Sequence, residues 1–151
     1  MRKIFINMSK TPDTTIMIVD DDPKIVKALE LRLNFAGYKT MSTYNGMTAL
    51  ALARGKKPDL IITDMWMPTG TGLSMAFRMN QLFPGIPLIF LTASKQPGLK
   101  EKAAGLGAVG FLEKPYEPGL LLEMVSQFLK PGEQRDEEEL EALNLTPAIA
   151  N

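Results

Sequence analysis

The chain has 151 residues, and its 17 Lys and Arg balance its 17 Asp and Glu, so the formal net charge is zero. This balance argues against the basic field that holds nucleic acid, and we predict no direct nucleic-acid binding. Cysteine and histidine are absent, which excludes disulfides, thiolate and imidazole metal sites, and histidine-based catalytic triads. No apolar run approaches the roughly 18 residues that span a bilayer, and the start is too short for a signal peptide. We therefore expect a cytoplasmic protein that works with carboxylates, lysines and hydroxyls.

The two ends of the chain differ in composition from its middle. Residues 1–13, which run into a Thr-Pro-Asp-Thr-Thr stretch, are predicted to be an N-terminal extension. Residues 131–151 include four consecutive acidic residues. The spacing of Leu140 and Leu143 after them predicts a short amphipathic helix with both leucines on one face. We interpret residues 131–151 as an acidic tail or linker stub. Residues 14–130 are predicted to form one domain.

Short apolar runs alternate with helical patterns through this predicted domain. In the first helix Val26, Leu29 and Leu33 recur at helical spacing, and Gly37 suits its end. In chain order the predicted elements are strand 16–19, helix 23–36, strand 38–43, helix 45–54, strand 60–63, helix 72–82, strand 86–91, helix 97–106, strand 109–112 and helix 118–129. Five strand–helix units predict an α/β fold, namely a flavodoxin-like, doubly wound five-stranded parallel sheet of order 2-1-3-4-5 with five helices.

Polar residues stand at the carboxyl ends of the predicted strands. The first strand ends in Asp20 and Asp21, the third in Asp64 and the fourth in Thr92, and Lys114 follows the fifth. Each residue alone has an ordinary structural explanation, such as a loop or a strand-end hydroxyl. Because ligands of such sheets bind beyond the carboxyl ends of the strands, the fold gathers these groups on one rim. Their convergence predicts a functional site.

One aspartate of the first loop has a structural role. Asp22 precedes Pro23, and this pair is typical of a helix N-cap followed by a first-turn proline. A single cap suffices for the helix, so capping does not explain Asp20 and Asp21.

The predicted rim suits phosphoryl chemistry. Packed carboxylates repel one another, so at least one pKa rises unless a cation compensates. Oxygen ligands with room for water suit Mg²⁺. A carboxylate can attack phosphorus and form an aspartyl phosphate, while a lysine such as Lys114 offsets the phosphoryl charge. The hydroxyl of Thr92 can hydrogen-bond a phosphoryl oxygen.

The motifs together resemble the receiver domains of bacterial response regulators, the chemotaxis regulators among them, over about residues 14–130. The segments that carry the resemblance are Ile-Met-Ile-Val-Asp-Asp-Asp-Pro at 16–23, Asp-Leu-Ile-Ile-Thr-Asp-Met-Trp-Met-Pro at 59–68, Gly72, Pro-Leu-Ile-Phe-Leu-Thr-Ala at 87–93, Gly107-Ala108 and Phe-Leu-Glu-Lys-Pro at 111–115. One such piece is weak support, whereas the full ordered set at these spacings is highly specific.

The resemblance implies a role for each residue of the rim. Asp64 is expected to be the phosphoacceptor. Asp20 and Asp21 are expected to hold Mg²⁺ together with Asp64, and the backbone carbonyl of Trp66 to be a further ligand. Lys114 is expected to contact the phosphoryl group.

The resemblance also implies a switch. Thr92 is expected to move toward the phosphoryl oxygens and the Phe111 ring to turn inward, although a plain core aromatic would explain Phe111 as well. The bond between Lys114 and Pro115 is expected to be cis. Trp66 is bulky for the entrance to the site, so we predict slow self-dephosphorylation because the indole hinders the attacking water.

The resemblance also implies a role in signal transduction. We expect a phosphoacceptor of a two-component phosphorelay that takes its phosphoryl group from a sensor histidine kinase or a phosphotransfer protein. It is not expected to be an enzyme beyond promoting its own phosphorylation and dephosphorylation. The usual output face runs over the fourth helix, the fifth strand and the fifth helix, where Gly105 and Gly107 predict a marginal helix. The sequence does not identify the output partner. Dimerisation of two copies through this face is left as an alternative.

Other functions fit the residues less well. A haloacid-dehalogenase-type phosphatase needs a second aspartate where Trp66 stands, and an FMN-binding flavodoxin needs a phosphate-binding loop where the three aspartates stand. A DNA-binding regulator needs an effector domain, and we expect none in residues 131–151. A receiver-like docking module that works without phosphorylation remains the alternative, although such a module normally lacks part of the acidic set or the lysine.

Overall fold

The apolar runs form strands and the helical patterns form helices in the computed structural model, which describes residues 14–67 and 70–129, with the backbone alone at 70 and 71. The predicted N-terminal extension and acidic tail lie outside the described residues. In these ranges no helix is long and apolar enough to cross a membrane. In chain order the elements are β1 (Thr15–Val19), α1 (Pro23–Phe35), β2 (Lys39–Thr43), α2 (Gly46–Gly55), β3 (Leu60–Asp64), β4 (Trp66–Met67), β5 (Gly70–Thr71), α3 (Gly72–Leu82), β6 (Leu88–Thr92), α4 (Leu99–Gly105), β7 (Ala108–Glu113) and α5 (Pro118–Phe128).

The main sheet has five parallel strands in the order β2-β1-β3-β6-β7. Since β6 and β7 are its fourth and fifth strands along the chain, the predicted order 2-1-3-4-5 is confirmed. The strand order reverses at β1, which lies between β2 and β3. This switch point is where doubly wound sheets bind their ligands, beyond the carboxyl ends of the strands.

A short hairpin between β3 and α3 was not predicted. Its strands β4 and β5 are antiparallel, with Trp66 opposite Thr71 and Met67 opposite Gly70. Strands of two residues are too short to give an alternating pattern in the sequence. The hairpin begins two residues after Asp64 and so shapes the chain next to the rim.

Two apolar clusters cover the two faces of the sheet. Along β1, Met17 and Val19 belong to the cluster shared with α2, α3 and α4, whereas Ile16 and Ile18 belong to the cluster shared with α1 and α5. All four side chains are at most 1% exposed. Burial on both faces explains why the strands appear as continuous apolar runs. Each buried side chain of this size contributes about 1.5–3 kcal/mol to folding.

Side-chain caps fix where the first two helices begin. Asp22 accepts a hydrogen bond from the N–H of Lys24 at 2.9 Å, and Asn45 accepts one from the N–H of Thr48 at 2.8 Å. The predicted N-cap role of Asp22 is therefore confirmed. Because α1 begins at this cap, the two preceding aspartates are held in the loop at the carboxyl end of β1.

The region from α4 to β7 is less regular. The fourth helix has seven residues, fewer than the predicted 97–106. Gly98 precedes it with φ 85° and gives it no side-chain cap. The pairing of β6 with β7 is interrupted between Leu88 and Ile89, and most of β7 is only half-buried. The predicted marginal helix is thus short and weakly capped.

Candidate functional site

Three carboxyl groups meet at the carboxyl ends of β1 and β3. Val19 pairs with Thr63 in adjacent parallel strands, so the residues that follow reach the same edge of the sheet. One carboxylate oxygen from each of Asp20, Asp21 and Asp64 lies within 4.8 Å of the other two. The structure therefore brings together the three aspartates that the sequence placed on one rim.

Lys114 carries a positive charge into this cluster. The chain leaves β7 with the N–H of Lys114 donating to the carbonyl of Thr92 at 2.7 Å. Its Nζ lies 3.1 Å from Oδ2 of Asp20 and 3.7 Å from Oδ1 of Asp64. The bond to Pro115 is cis, as predicted. The ammonium thus lies close to two of the three carboxyl groups.

The three aspartates differ in their surroundings. Asp20 is buried, and its Oδ1 accepts the N–H of Asp22 at 2.9 Å while its Oδ2 is paired with Lys114. Asp21 is exposed to solvent. The side chain of Asp64 is 12% exposed. Asp64 is therefore more exposed than Asp20, whose two oxygens are both hydrogen-bonded, and less exposed than Asp21.

Burial raises the pKa of Asp64 above its ordinary value. Desolvation is the largest cause, because it disfavours the charged form. Lys114 lowers this pKa and Asp20 raises it, while backbone hydrogen bonds from Trp66 and Met65 lower it. A poorly solvated carboxylate is more basic than a free one, which favours attack on an electrophile.

Thr92 lies on the same rim at the end of β6. Its side chain is fully buried, and its Oγ1 accepts the N–H of Ser94 at 3.1 Å. The adjacent strand places Leu91 opposite Asp64, so Thr92 comes next to the acidic cluster. Because the hydroxyl accepts from Ser94, its own proton can be donated to a further oxygen.

Phe111 stands on β7, opposite Phe90 of β6, and is half-buried against the cluster of α2, α3 and α4. It borders two pockets, of about 370 Å³ beside the loop before α4 and about 270 Å³ between α4, β7 and α5. The Phe111 ring is therefore not a fully enclosed core aromatic, since it has open space on the α4 side.

Two neighbours of Asp64 were not predicted as site residues. The hydroxyl of Thr63 donates to the carbonyl of Asp64 at 3.0 Å. The first residue of α3, Gly72, packs so closely that a Cβ there would overlap the same carbonyl oxygen. The N–H of Gly72 donates to the carbonyl of Met65 at 2.9 Å, and the N–H of Met65 to that of Leu91 at 3.0 Å. The only sequence signals were a hydroxyl in an apolar strand and a glycine at a helix start.

Trp66 lies on β4, directly after the loop that leaves Asp64. Its side chain is 39% exposed, although an indole gains much from burial. The sequence predicts a bulky group at the entrance to the rim; the structure shows the side chain partly exposed, and its position at the entrance stays a prediction.

The donor set fits a hard divalent cation. All three carboxylates offer oxygen, and a metal ion can be held where they meet. The sequence has neither cysteine nor histidine, so these ligands suit Mg²⁺ better than the softer transition metals. A divalent charge also relieves the repulsion that a single ammonium leaves uncompensated.

Comparison with known proteins decides the family. Residues 16–126 match the family model of the response regulator receiver domain. The chain belongs to this family. It is 33% identical over 138 residues to the phosphate regulon transcriptional regulatory protein PhoB of Pseudomonas aeruginosa, an alignment that covers 88% of this chain and 60% of that protein. The motif resemblance is therefore confirmed, and the domain is a module of two-component signal transduction.

Solved structures agree with this family and fold. The chemotaxis protein CheY4 of Vibrio cholerae is similar with a TM-score of 0.71 and 32% identity, over 78% of this chain and 99% of that one. A CheY-like receiver domain protein from Methanospirillum hungatei is similar with a TM-score of 0.73 and 26% identity, over 76% of this chain and 92% of that one. The predicted flavodoxin-like fold is confirmed.

The curated relatives are longer than the region they share with this receiver domain. The alignment covers 60% of PhoB, and only 26% of the transcriptional regulatory protein GlrR of Escherichia coli. The similarity thus concerns the receiver module, and the activity of each whole relative lies partly outside it.

Proposed function

We propose that this receiver domain accepts a phosphoryl group on Asp64, from a phosphohistidine of a sensor histidine kinase or phosphotransfer protein. An oxygen of Asp64 forms the new bond to phosphorus, the bond from phosphorus to the donor nitrogen breaks, and the imidazole that leaves takes up a proton. The observation that carries the proposal is the acidic cluster with Lys114 Nζ 3.7 Å from Oδ1 of Asp64.

The surroundings of the three aspartates favour Asp64 as the acceptor. Both oxygens of Asp20 are engaged, one by the N–H of Asp22 and one by Lys114. Asp21 is exposed, so water stabilises its charge and weakens it as a nucleophile. Desolvation raises the pKa of Asp64 above its ordinary value, so its carboxylate is more basic than a fully solvated one.

We assign Mg²⁺ to the same cluster. Asp20, Asp21 and Asp64 supply carboxylate oxygens, and the backbone carbonyl of Trp66 supplies a further oxygen. When bound, the ion supplies positive charge to the phosphoryl oxygens during transfer. Asp20 is held in place for this role by its bond from the Asp22 N–H, which follows directly from the cap of α1.

Hydrogen bonds from Lys114 and Thr92 to the phosphoryl group then stabilise the phosphorylated state. Phosphorylation adds about −1.5 to −2 charges at Asp64. A shift from about 1:99 to 99:1 between two states needs about 5.5 kcal/mol. Charge-assisted hydrogen bonds from Lys114 and Thr92 contribute about 1.5–3 kcal/mol each, so the two together reach this size.

The response passes from Thr92 to Phe111. When the Thr92 hydroxyl moves toward the phosphoryl oxygens, it leaves the N–H of Ser94, and the loop before α4 loses that contact. The ring of Phe111 borders this loop, and it then turns inward into the space that Thr92 leaves. The surface of α4, β7 and α5 is then the output face, to which a partner or a second copy binds.

The limits of the domain follow from the same reasoning. We set them at residues 14 and 130, slightly beyond the family match at 16–126. We propose that the domain functions in the cytoplasm, where a kinase supplies the phosphoryl group. We also propose that it does not bind nucleic acid directly.

The test is the intact mass of the protein after incubation with acetyl phosphate and Mg²⁺. We expect a gain of one phosphoryl group, absent without the metal and absent from Asp64→Asn. No gain in a protein shown to be folded and to bind Mg²⁺ would contradict the proposal and favour a docking module that works without phosphorylation.

A further inference from the structure

The outer face of α1 is apolar although it points to solvent. Leu31 is 60% exposed and Phe35 is 95% exposed. They stand one turn apart, so their side chains are neighbours on one stripe of the helix. The opposite face of α1 already buries Val26, Leu29 and Leu33. Leu31 and Phe35 therefore serve no part of the core.

The same outer face is basic toward the start of the helix. Lys24 and Lys27 are exposed, and Ala28 separates them from the apolar pair. Arg32 is exposed beside Leu31. Asp21 and Asp22 are exposed just before the helix, and the three cations Lys24, Lys27 and Arg32 outnumber them. The outer face of α1 thus combines a basic part with an apolar end, and a complementary surface needs acidic groups followed by apolar ones.

The tail of the chain has this complementary pattern. Residues 136–139 are Asp-Glu-Glu-Glu, and Leu140 and Leu143 follow at helical spacing. Aspartate is a favourable N-cap, and glutamates in the first turn interact well with the helix dipole. The segment favours a short helix with an acidic start and an apolar stripe.

The tail is long enough to reach α1. The helices α1 and α5 pack on the same face of the sheet, where both contribute to one apolar cluster. Each follows a parallel strand and runs back along it, so both end at the same edge of the sheet. The seven Cα–Cα steps from Leu129 to Asp136 span up to about 25 Å. The path to Lys24 runs about 16 Å along α1 and about 10 Å across to a neighbouring helix, which together make about 19 Å.

We propose that residues 136–145 dock on the outer face of α1. The acidic residues 136–139 lie against Lys24 and Lys27, and Leu140 and Leu143 cover Leu31 and Phe35. This contact belongs to the chain's own tail and does not depend on phosphoryl transfer.

The absence of cysteine allows a cross-linking test on the full chain. Phe35→Cys is combined with Leu143→Cys, and oxidation is followed by mass and by non-reducing gel electrophoresis. We expect an intramolecular disulfide, formed about tenfold or more faster than in the control pair because docking raises the local concentration of the two thiols. Phe35 is 95% exposed, so its replacement leaves the fold intact.

The control pair joins Leu143→Cys to Phe77→Cys. Phe77 is also an exposed phenylalanine, at 52%, but it lies on α3, which packs on the other face of the sheet. This pair gives the rate at which the tail reaches the opposite face, and the charge variant, which keeps position 35, controls for the shorter distance to Phe35.

A charge variant completes the test. Replacing Glu137, Glu138 and Glu139 by glutamine removes the attraction to the basic end of α1, and we expect the Phe35 cross-link to slow toward the control rate. Equal rates for the two pairs overturn the proposal. A disulfide that forms only between two molecules overturns it too, in favour of a second copy on the α1 face.

Discussion

The two sides of the carboxyl-end rim are built in different ways. On the side of β1 and β3, caps and backbone hydrogen bonds fix the acidic residues, and α1 and α3 begin against them. On the side of β6 and β7, a short helix, a half-buried strand and two pockets leave room for movement. Phosphoryl transfer needs atoms held at set positions, whereas a switch needs an element with two accessible arrangements.

The fixed side is held by short-range contacts around Asp64. Thr63 and Gly72 both engage the carbonyl of Asp64, and the following peptide is bonded to the neighbouring strand through Leu91. Asp20 is likewise held by a backbone N–H and by Lys114. Little can move here without breaking several contacts together.

The adaptable side has few such contacts. The loop after β6 is joined to β7 by the ion pair of Lys95 with Glu113 at 2.9 Å, but the two side chains are 70% and 53% exposed. Such pairs contribute about 0–1 kcal/mol. Gly98 and Gly107, both with positive φ, flank α4. The proposed phosphoryl transfer and the proposed conformational switch therefore belong to opposite sides of the same rim.

Two lysines give the largest test of this contrast. Lys114 follows β7, but its ammonium lies against Asp20 and Asp64 of the fixed side. We expect Lys114→Ala to slow phosphorylation by acetyl phosphate about 10²–10³-fold, as for other groups that stabilise transition-state charge. Lys95→Ala removes the exposed ammonium of the adaptable side, and we expect an unchanged rate. Rates are measured by intact mass over time. Equal rates for the two variants would remove the distinction between the sides.

Two glycines test the packing. Gly72→Ala pushes a Cβ onto the carbonyl of Asp64, and we expect it to lower the free energy of unfolding by about 1–3 kcal/mol and to slow phosphorylation. At Gly105, in the last turn of α4, a Cβ meets open space, so Gly105→Ala is expected to raise stability by up to about 1 kcal/mol. Urea denaturation measures both. Similar changes in the two variants would contradict the contrast in packing.

The side chain of Trp66 tests whether the fixed side also controls water. Trp66→Asn opens the entrance beside Asp64, and we expect the phosphoryl group to be lost about tenfold faster, a change of about 1.4 kcal/mol in the barrier. Tyr44→Asn is the matched control, because Tyr44 is an exposed aromatic that follows β2. The decay of the phosphorylated mass gives both lifetimes, and an unchanged lifetime in Trp66→Asn rejects the role of the indole.

The pKa of Asp64 gives the smallest expected effect, on stability. Because the folded-state pKa is raised above its ordinary 3.8, the stabilising contribution of the neutral carboxyl is lost as pH rises through the folded pKa. At pH 7 the ionised group therefore costs stability, and in metal-free buffer Asp64→Asn is expected to raise the Tm by a few degrees. The difference should vanish below the unfolded-state pKa. A lower Tm for Asp64→Asn at pH 7 would contradict this sign.

Much of the fold could be predicted because its signals are local. Apolar runs marked four of the five main strands, whereas β2 at the edge of the sheet has a weaker pattern, Lys-Thr-Met-Ser-Thr. The spacing of Val26, Leu29 and Leu33 marked the buried face of α1. Asp22 was correctly separated from the site because an N-cap depends on adjacent residues alone. The gathering of Asp20 and Asp64 followed from the parallel topology, which sends strand ends to one edge.

What the sequence could not give depends on contacts between distant residues. The pairing of Lys114 with Asp20 and the overlap that forbids a side chain at Gly72 arise only when separate elements pack together. The hairpin after Asp64 is too short to leave a pattern. The exposure of Phe35 could not be predicted either, because an apolar residue late in a helix looks the same whether it is buried or not.

The identity of the acceptor among three adjacent carboxylates is the central claim, and chemical trapping tests it directly. Borohydride reduces an aspartyl phosphate to homoserine and releases phosphate, so peptide mass spectrometry after incubation with acetyl phosphate and Mg²⁺ locates the acceptor. We predict homoserine in place of Asp64, with Asp20 and Asp21 unchanged. Homoserine at position 20 or 21, or none in a folded protein that binds Mg²⁺, would contradict the account.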